Sequence, residues 1–352
     1  MDMAQRAVKL MKVPSFFNPN NSSKLYGCDY EEVAAKAIEF RNFNNIQPTS
    51  KDKKKVSVVM IDNQNTFCLP NGQLYVGGRS GFGAVDNSNN TCSLIYTNLD
   101  VISNITYTLD THLPLQIFHA LFWVNDKGEH PSKYMLITLD DVMNGKWKIN
   151  PEVIYMYDLP EDYDLKTYAQ EYIKALNEDN KYLLILWPYH AMVGGAYHAL
   201  VGTIEEAVMF HCAARQVNPT VKIKGQNPFT ESYSAIAPEF ISVPTGTVQV
   251  DYDFMRCLEK WDYTIWTGQA KSHCVAWTLA DYIKYIKQTY SAEKASDMIS
   301  RIYVAEDCMS SVVTPDMDFT DMADGIFAKF AEEGVHLVKS STPIKLMEGI
   351  EL

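Results

Sequence analysis

Three residues close or follow short apolar runs and carry side chains that could do chemistry together. Asp62 closes VSVVMID (56–62), Lys224 falls in TVKIKG (220–225), and Cys274 lies just beyond YTIWTG (263–268), where a helical pattern begins. A helix N-terminus favours a thiolate, because unpaired N–H groups and the helix dipole stabilise negative charge there. A nearby aspartate could take the thiol proton and a lysine could hold the charge of the pair in place, which is the chemistry of an activated nucleophile. Each residue also has an ordinary structural reading; a free cysteine is most often a small buried side chain. Spacing alone does not bring the three together.

A second set is Asp110 and His112 in ITYTLDTH (105–112). Residues i and i+2 on a strand point to one face, so these two could ligate one ion. A strand-end Asp and His could equally cap a loop.

These residues need elements to position them. Short β-branched runs at 56–62, 105–112, 182–187 (YLLILW), 220–225, 263–268, 301–307 and 335–341 read as strands. Between several of them lie helical patterns. Val201, Ile204, Val208 and Cys212 share a face in 198–217, as do Val275, Leu279, Ile283 and Ile286 in 273–290. A further helix over 322–334 stops at Gly334, and a short one fits 30–42. Alternation of this kind predicts an α/β fold: a mainly parallel sheet with helices on both faces, binding its ligand beyond the carboxyl ends of the strands. The sheet domain is expected over 56–345. Residues 1–55 precede it as an extension, a surface arm or a clasp on a neighbouring subunit. Residues 113–180 interrupt it as a long insertion, and 346–352 form a tail.

Composition narrows the partners. The 352 residues are 47% apolar and 21% charged, ordinary for a globular protein. A net charge of −12 argues against nucleic acid and against an anionic membrane surface. The seven cysteines form no C-x-x-C pair, Met1 to Asn20 lack a continuous apolar core, and the apolar runs are too short to span a bilayer. A reducing cytoplasm with free thiols is the expectation.

Five segments, in order, resemble the isochorismatase-like cysteine hydrolases, and most closely their nicotinamidase branch. They are MIDNQNTFCLPNGQLYVGG (60–78), DTH (110–112), WPYHAMVGG (187–195), KGQNPFTESYSAI (224–236) and GQAKSHCVAWT (268–278). Asn63, Thr66 and Gln269 depart from the family's commoner residues, and 1–55 and 113–180 have no counterpart in its compact members.

The resemblance implies that Asp62, Lys224 and Cys274 form a catalytic triad. Cys274 would form a thioester with a small amide, Asp62 would act as general base and then general acid, and Lys224 would support the ionised pair. It implies a cis peptide at Gln269–Ala270 and an oxyanion site from the N–H groups of Ala270 and Cys274. It adds His190 to Asp110 and His112 as ligands of a divalent metal, zinc first, with iron or manganese as alternatives. His119 is a fourth candidate ligand. Phe67, Trp187 and Tyr233 would line the substrate pocket. His273 reads as supporting or structural, and His198, His211, Glu129 and His130 as non-ligands. The implied activity is hydrolysis of nicotinamide or a related pyridine or aromatic carboxamide, as in NAD salvage, by a homo-oligomer. The alternatives are a ureido or N-carbamoyl amide as substrate, or a non-catalytic binding or scaffold protein on the same fold.

Overall fold

Val56–Ile61 (β1), Ile102–Asp110 (β2), Thr220–Lys224 (β3), Tyr263–Gly268 (β4), Ile302–Ala305 (β5) and His336–Val338 (β6) form one sheet. The structure is a computed structural model that describes residues 11–178 and 183–352. All neighbouring strands are parallel, in the order β6–β5–β4–β1–β2–β3. The chain winds outward one way from β1 through β2 to β3, then returns to lay β4, β5 and β6 on the other side. The order therefore reverses between β1 and β4, and the ends of those two strands splay helices to opposite faces. A crevice opens there, beyond the carboxyl ends.

Strand residues alternate between two hydrophobic cores, as the two-residue period of a pleated strand requires. Val58 and Met60 join one core, and Val59 and Ile61 join the other. Ile265 and Trp266 divide in the same way on β4. The first core is covered by Tyr30–Asn44 (α1), Gly83–Thr97 (α2) and Gly202–Arg215 (α4), through residues such as Val33, Ile95 and Ile204. The second is covered by Ala276–Thr289 (α5) and Thr320–Glu332 (α6), through Leu279, Ile283 and Phe327. Both faces of the sheet are thus buried at β1, β4 and β5, which is why those strands read as continuous apolar runs, while the edge strand β3 leaves Val221 and Ile223 exposed.

The described part of the extension packs on the chain's own body. Asp29 caps α1 by accepting the Glu32 N–H at 3.0 Å, and Val33 and Ala37 bury against the first core. The segment 113–180 carries Leu165–Glu178 (α3), whose Tyr168, Tyr172, Ile173 and Leu176 enter that same core.

The run 182–187 is not a strand of the main sheet. Tyr182 lies outside the described residues; Leu184–Ile185 pair antiparallel with Leu136–Ile137 as a two-residue ladder. An apolar run shows that a segment is buried, not which sheet it joins. The helix expected over 198–217 begins at Gly202, so His198 sits in the loop before it. Residues 1–10 lie outside the described residues. Among the described residues no helix is long and apolar enough to cross a membrane.

Candidate active site and metal centre

The parallel register sets the site. Ile61 pairs with Gly268 and Asp110 pairs with Lys224, while Met60 pairs with Tyr107, so β2 and β3 run about two residues past the ends of β1 and β4 at the same edge of the sheet. Gly268 makes the close approach of β1 and β4 feasible: its φ is +122°, and a Cβ there would lie 2.1 Å from the Ile61 carbonyl oxygen. Asp62 follows β1 in the left-handed region, φ +47°, a conformation uncommon for a residue with a side chain. It is held there by Thr108 of β2. The Asp62 N–H donates to Thr108 Oγ1 at 2.9 Å, and that hydroxyl donates to Asp62 Oδ1 at 2.5 Å.

Lys224 Nζ is the hub. It lies 3.1 Å from Asp62 Oδ2 and 2.8 Å from Asp110 Oδ1, donates to the Ser232 carbonyl at 3.0 Å, and stands 3.5 Å from Cys274 Sγ. The structure thus brings Asp62, Lys224 and Cys274 together from three strand ends. Cys274 sits in a π-helical turn, Lys271–Val275, that leads into α5, and it is buried. The Gln269–Ala270 peptide is cis, and Ala270 lies in the cavity wall beside Cys274.

Burial dominates the ionisation of these groups. It pushes the Asp62 carboxyl above its usual range, against the pull of Lys224. It drives the Cys274 thiol well above its usual value, again opposed by Lys224. Burial also disfavours the Lys224 ammonium, but Asp110 and Asp62 outweigh it and hold the lysine protonated far beyond its ordinary range. The resting site is therefore a charged lysine, a neutral thiol and a carboxylate whose proton affinity is raised toward that of a working base.

Beside this cluster, single ligand atoms of Asp110, His112 and His190 lie within 4.8 Å of one another, all three residues buried. His112 Nε2 is 2.7 Å and His190 Nε2 is 3.7 Å from Asp110 Oδ2. Each imidazole has its Nδ1 against a backbone carbonyl, Gly225 O at 3.0 Å for His112 and Pro188 O at 2.7 Å for His190. With Nδ1–H donating outward, both Nε2 lone pairs face the same point, as in histidines that ligate a metal. Gly225 packs so closely that a Cβ would meet Asp110 Oδ1 at 2.5 Å and His112 Cε1 at 2.8 Å. One carboxylate oxygen and two imidazole nitrogens fit a divalent ion with positions left open. His119 is buried nearby, its ring 5.9 Å from His112 and 6.1 Å from His190, but its nitrogens are not among the converging ligand atoms. Its Nδ1 meets the Leu113 carbonyl at 3.0 Å.

The cavity over Cys274 is about 30 Å³. Phe67, Trp187 and Tyr233 all line it; Trp187 Nε1 donates to Tyr233 Oη at 3.0 Å, and Phe67 packs edge-on to His190 at 5.5 Å.

No family model matches this sequence. No curated protein matches it either. Solved structures of similar fold are nicotinamidases and pyrazinamidases. A nicotinamidase/pyrazinamidase of Acinetobacter baumanii is 18% identical, with 83% of this chain and 98% of that chain covered and a TM-score of 0.47. The yeast nicotinamidase bound to nicotinaldehyde is 16% identical, covering 81% of this chain and 99% of that one, TM-score 0.49. A Pyrococcus horikoshii pyrazinamidase in complex with zinc is 14% identical, covering 81% and 98%, TM-score 0.42. At such identities the likeness is one of fold.

Several site residues carry no signal that the sequence reading used. Gln64 clamps the end of β2, its Oε1 accepting the Asp110 N–H at 2.7 Å and its Nε2 donating to the Asp110 carbonyl at 2.8 Å. Thr108 orients Asp62, as described. Glu231 is buried in the cavity wall, and burial raises its carboxyl to about 7. His273 also lines the cavity; burial lowers it to about 3, and its Nδ1 lies 2.8 Å from Ser272 Oγ. His198 Nε2 meets Thr111 Oγ1 at 2.8 Å, and His211 Nε2 meets the Ile102 carbonyl at 2.9 Å, both away from the cavity.

Proposed function

We propose that this chain is a cysteine amidohydrolase that converts a small carboxamide to its acid and ammonia. The observation that carries the reading is the convergence of Asp62, Lys224 and Cys274 in a buried pocket. Asp62 Oδ2 accepts no hydrogen bond of good geometry among the described residues, which leaves it able to take the thiol proton. The thiolate then attacks the carbonyl carbon, while Lys224 offsets the charge left on the pair. The N–H groups of Ala270 and Cys274 are the candidate donors to the oxyanion. Asp62 returns its proton to the amide nitrogen, the C–N bond breaks, and ammonia leaves a thioester on Cys274. Water adds to the thioester, giving Asp62 a proton that passes back to sulfur as the acid departs.

Asp110, His112 and His190 would hold a divalent ion, zinc being the first choice for this donor set, with iron or manganese also suited. Such an ion would supply a Lewis-acid contact for a ring nitrogen or a water. Aromatic walls from Phe67 and Trp187 favour a flat substrate, so nicotinamide or a related pyridine carboxamide is the proposed class. A homo-oligomeric, cytoplasmic enzyme of NAD salvage goes with that substrate.

The test is ammonia release from metal-analysed protein across a panel of pyridine, aryl, aliphatic and ureido amides. Turnover of pyridine carboxamides supports the reading. Turnover of ureido compounds alone moves the substrate class, and no turnover of any amide rejects hydrolysis.

A further inference from the structure

Two side-chain amides meet in the interior behind the wall of the Cys274 cavity. Gln269 and Asn87, the latter on α2, are both buried. Gln269 Nε2 donates to Asn87 Oδ1 at 3.0 Å, and Gln269 Oε1 accepts the Ser310 N–H at 3.2 Å. Ser310 Oγ closes the triangle by donating to the same Asn87 Oδ1 at 2.6 Å. Asn87 Nδ2 donates to the Asp307 carbonyl at 3.0 Å, and Asn90 Nδ2 of α2 donates there too at 2.7 Å. Each amide is oriented by a partner that can act in only one way: the Ser310 N–H can only donate, and the Asp307 carbonyl can only accept. All four polar atoms of the two amides are thereby bonded, the condition under which a buried polar network stiffens its surroundings.

This network closes on the peptide that carries a candidate oxyanion donor. The Gln269 N–H donates to the Ile61 carbonyl at the end of β1, at 2.8 Å, and the Lys271 N–H donates to the Ser310 carbonyl at 2.7 Å. Ser310 therefore holds the residues on both sides of Ala270, one through its N–H and the other through its carbonyl. The Ala270 carbonyl accepts the His273 N–H at 3.0 Å and the Val275 N–H at 3.2 Å. Among the described residues the Ala270 N–H makes no hydrogen bond, and Ala270 lines the cavity beside Cys274. We propose that Gln269, acting with Asn87 and Ser310, is a positioning residue that fixes the Ala270 N–H for the negative charge developing on the substrate oxygen as Cys274 attacks. The inference rests on the amidohydrolase reading. A donor stabilises that charge only while it stays within hydrogen-bond reach, so a shift of about 1 Å in Ala270 slows the chemical step without weakening substrate binding. Helix α2, which contributes no side chain to the cavity lining, thereby acts on the reaction.

The experiment compares wild type with Gln269→Met, Asn87→Leu and Ser310→Ala. It measures nicotinamide turnover, affinity for pyridine-3-carboxaldehyde, and the rate of iodoacetamide alkylation at Cys274 read by peptide mass spectrometry. The aldehyde bonds its carbonyl carbon to the Cys274 sulfur; the C=O pair moves onto oxygen and the thiol proton to Asp62, so the adduct samples the oxyanion site with no leaving group. Alkylation forms an S–C bond and expels iodide with no oxyanion, so it reports the thiol and its access alone. The expected result for Gln269→Met and Asn87→Leu is a kcat lower by about tenfold or more with KM unchanged. Aldehyde affinity falls by a similar factor, and the alkylation rate stays the same. Ser310→Ala, which keeps both backbone bonds, shows the same pattern with a smaller factor. A higher KM with kcat unchanged overturns the inference, as does alkylation that slows in step with turnover. If Gln269→Met and Asn87→Leu do not fold, wild-type kcat and aldehyde affinity in Ser310→Ala overturn it. If wild type releases no ammonia, the amidohydrolase reading has failed instead. Equal aldehyde affinity in wild type and Gln269→Met then overturns the inference.

Discussion

Asp110 Oδ1 and Lys224 Nζ meet at 2.8 Å, and this ion pair joins the two halves of the site. The other oxygen of Asp110 faces His112 and His190, and the other contacts of Lys224 reach Asp62 and Cys274. The lysine charge therefore bears on the thiol and on the metal ligands at once.

Replacing Lys224 with Met leaves two buried carboxylates without their cation. The expected cost is about 3–5 kcal/mol of stability, measured by chemical denaturation. Adding Asp62→Asn should recover part of that loss, because one of the stranded charges is then removed. Ammonia release should vanish in both variants.

Metal binding should depend on a residue that is not a ligand. A Cβ at Gly225 would press on Asp110 and His112. Gly225→Ala is expected to lower metal affinity by about tenfold or more, within the range seen when the supports of a metal site are changed. His112→Ala and His190→Ala should lose the ion. Titration with cobalt, followed by its visible absorption, measures all three.

Glu231 predicts a pH dependence of stability. Its folded value of about 7 lies above the ordinary 4.5, so the folded state holds the proton more tightly than the unfolded chain does. Stability from this group is full below about 4.5 and is lost as pH rises through 7. In metal-free protein, Glu231→Gln should gain on wild type across that window, by roughly 3 kcal/mol at most. A constant difference between the two proteins from pH 4 to 8, measured by urea denaturation, contradicts this.

The roof of the cavity should be adjustable. Val312 lines it from a hairpin in which the Phe319 N–H donates to the Val312 carbonyl at 3.1 Å. Arg79 reaches that hairpin through Asp318 at 2.6 Å and the start of α6 through Asp321 at 2.8 Å. These pairs are exposed, so each contributes little and weakens with salt. Arg79→Gln is expected to speed iodoacetamide labelling of Cys274 by up to about fivefold, and added salt should speed wild type but not the variant.

Much of this arrangement was legible in the residues. Asp62, Asp110, Lys224 and Cys274 each stand at or just past a strand end, and β-branched runs buried on both faces mark such strands plainly. Parallel strands carry their carboxyl ends to one edge of the sheet, so strand-end residues gather there once the order is known. What was not legible follows from the same physics. The run 182–187 is apolar because it is buried, and burial does not name its partner, which is Leu136–Ile137. Glu231 sits in a polar stretch of sequence, and only the helix α3 packed over it shows that it is inside. Gln64 and Thr108 act through backbone contacts across strands, which no local pattern encodes. His119 has a metal-ligand side chain near two others and, like them, sets its Nδ1 on a carbonyl, yet its nitrogens do not converge with the ligand atoms of Asp110, His112 and His190.

One measurement bears most directly on Cys274 as nucleophile: ammonia release from nicotinamide by wild type and by Cys274→Ala, each metal-loaded and each shown to be folded by circular dichroism. The expected result is turnover by wild type and a loss of about a thousandfold or more in the variant, as in other enzymes stripped of their nucleophile. Equal rates in the two proteins contradict the triad and leave the buried sulfur as packing.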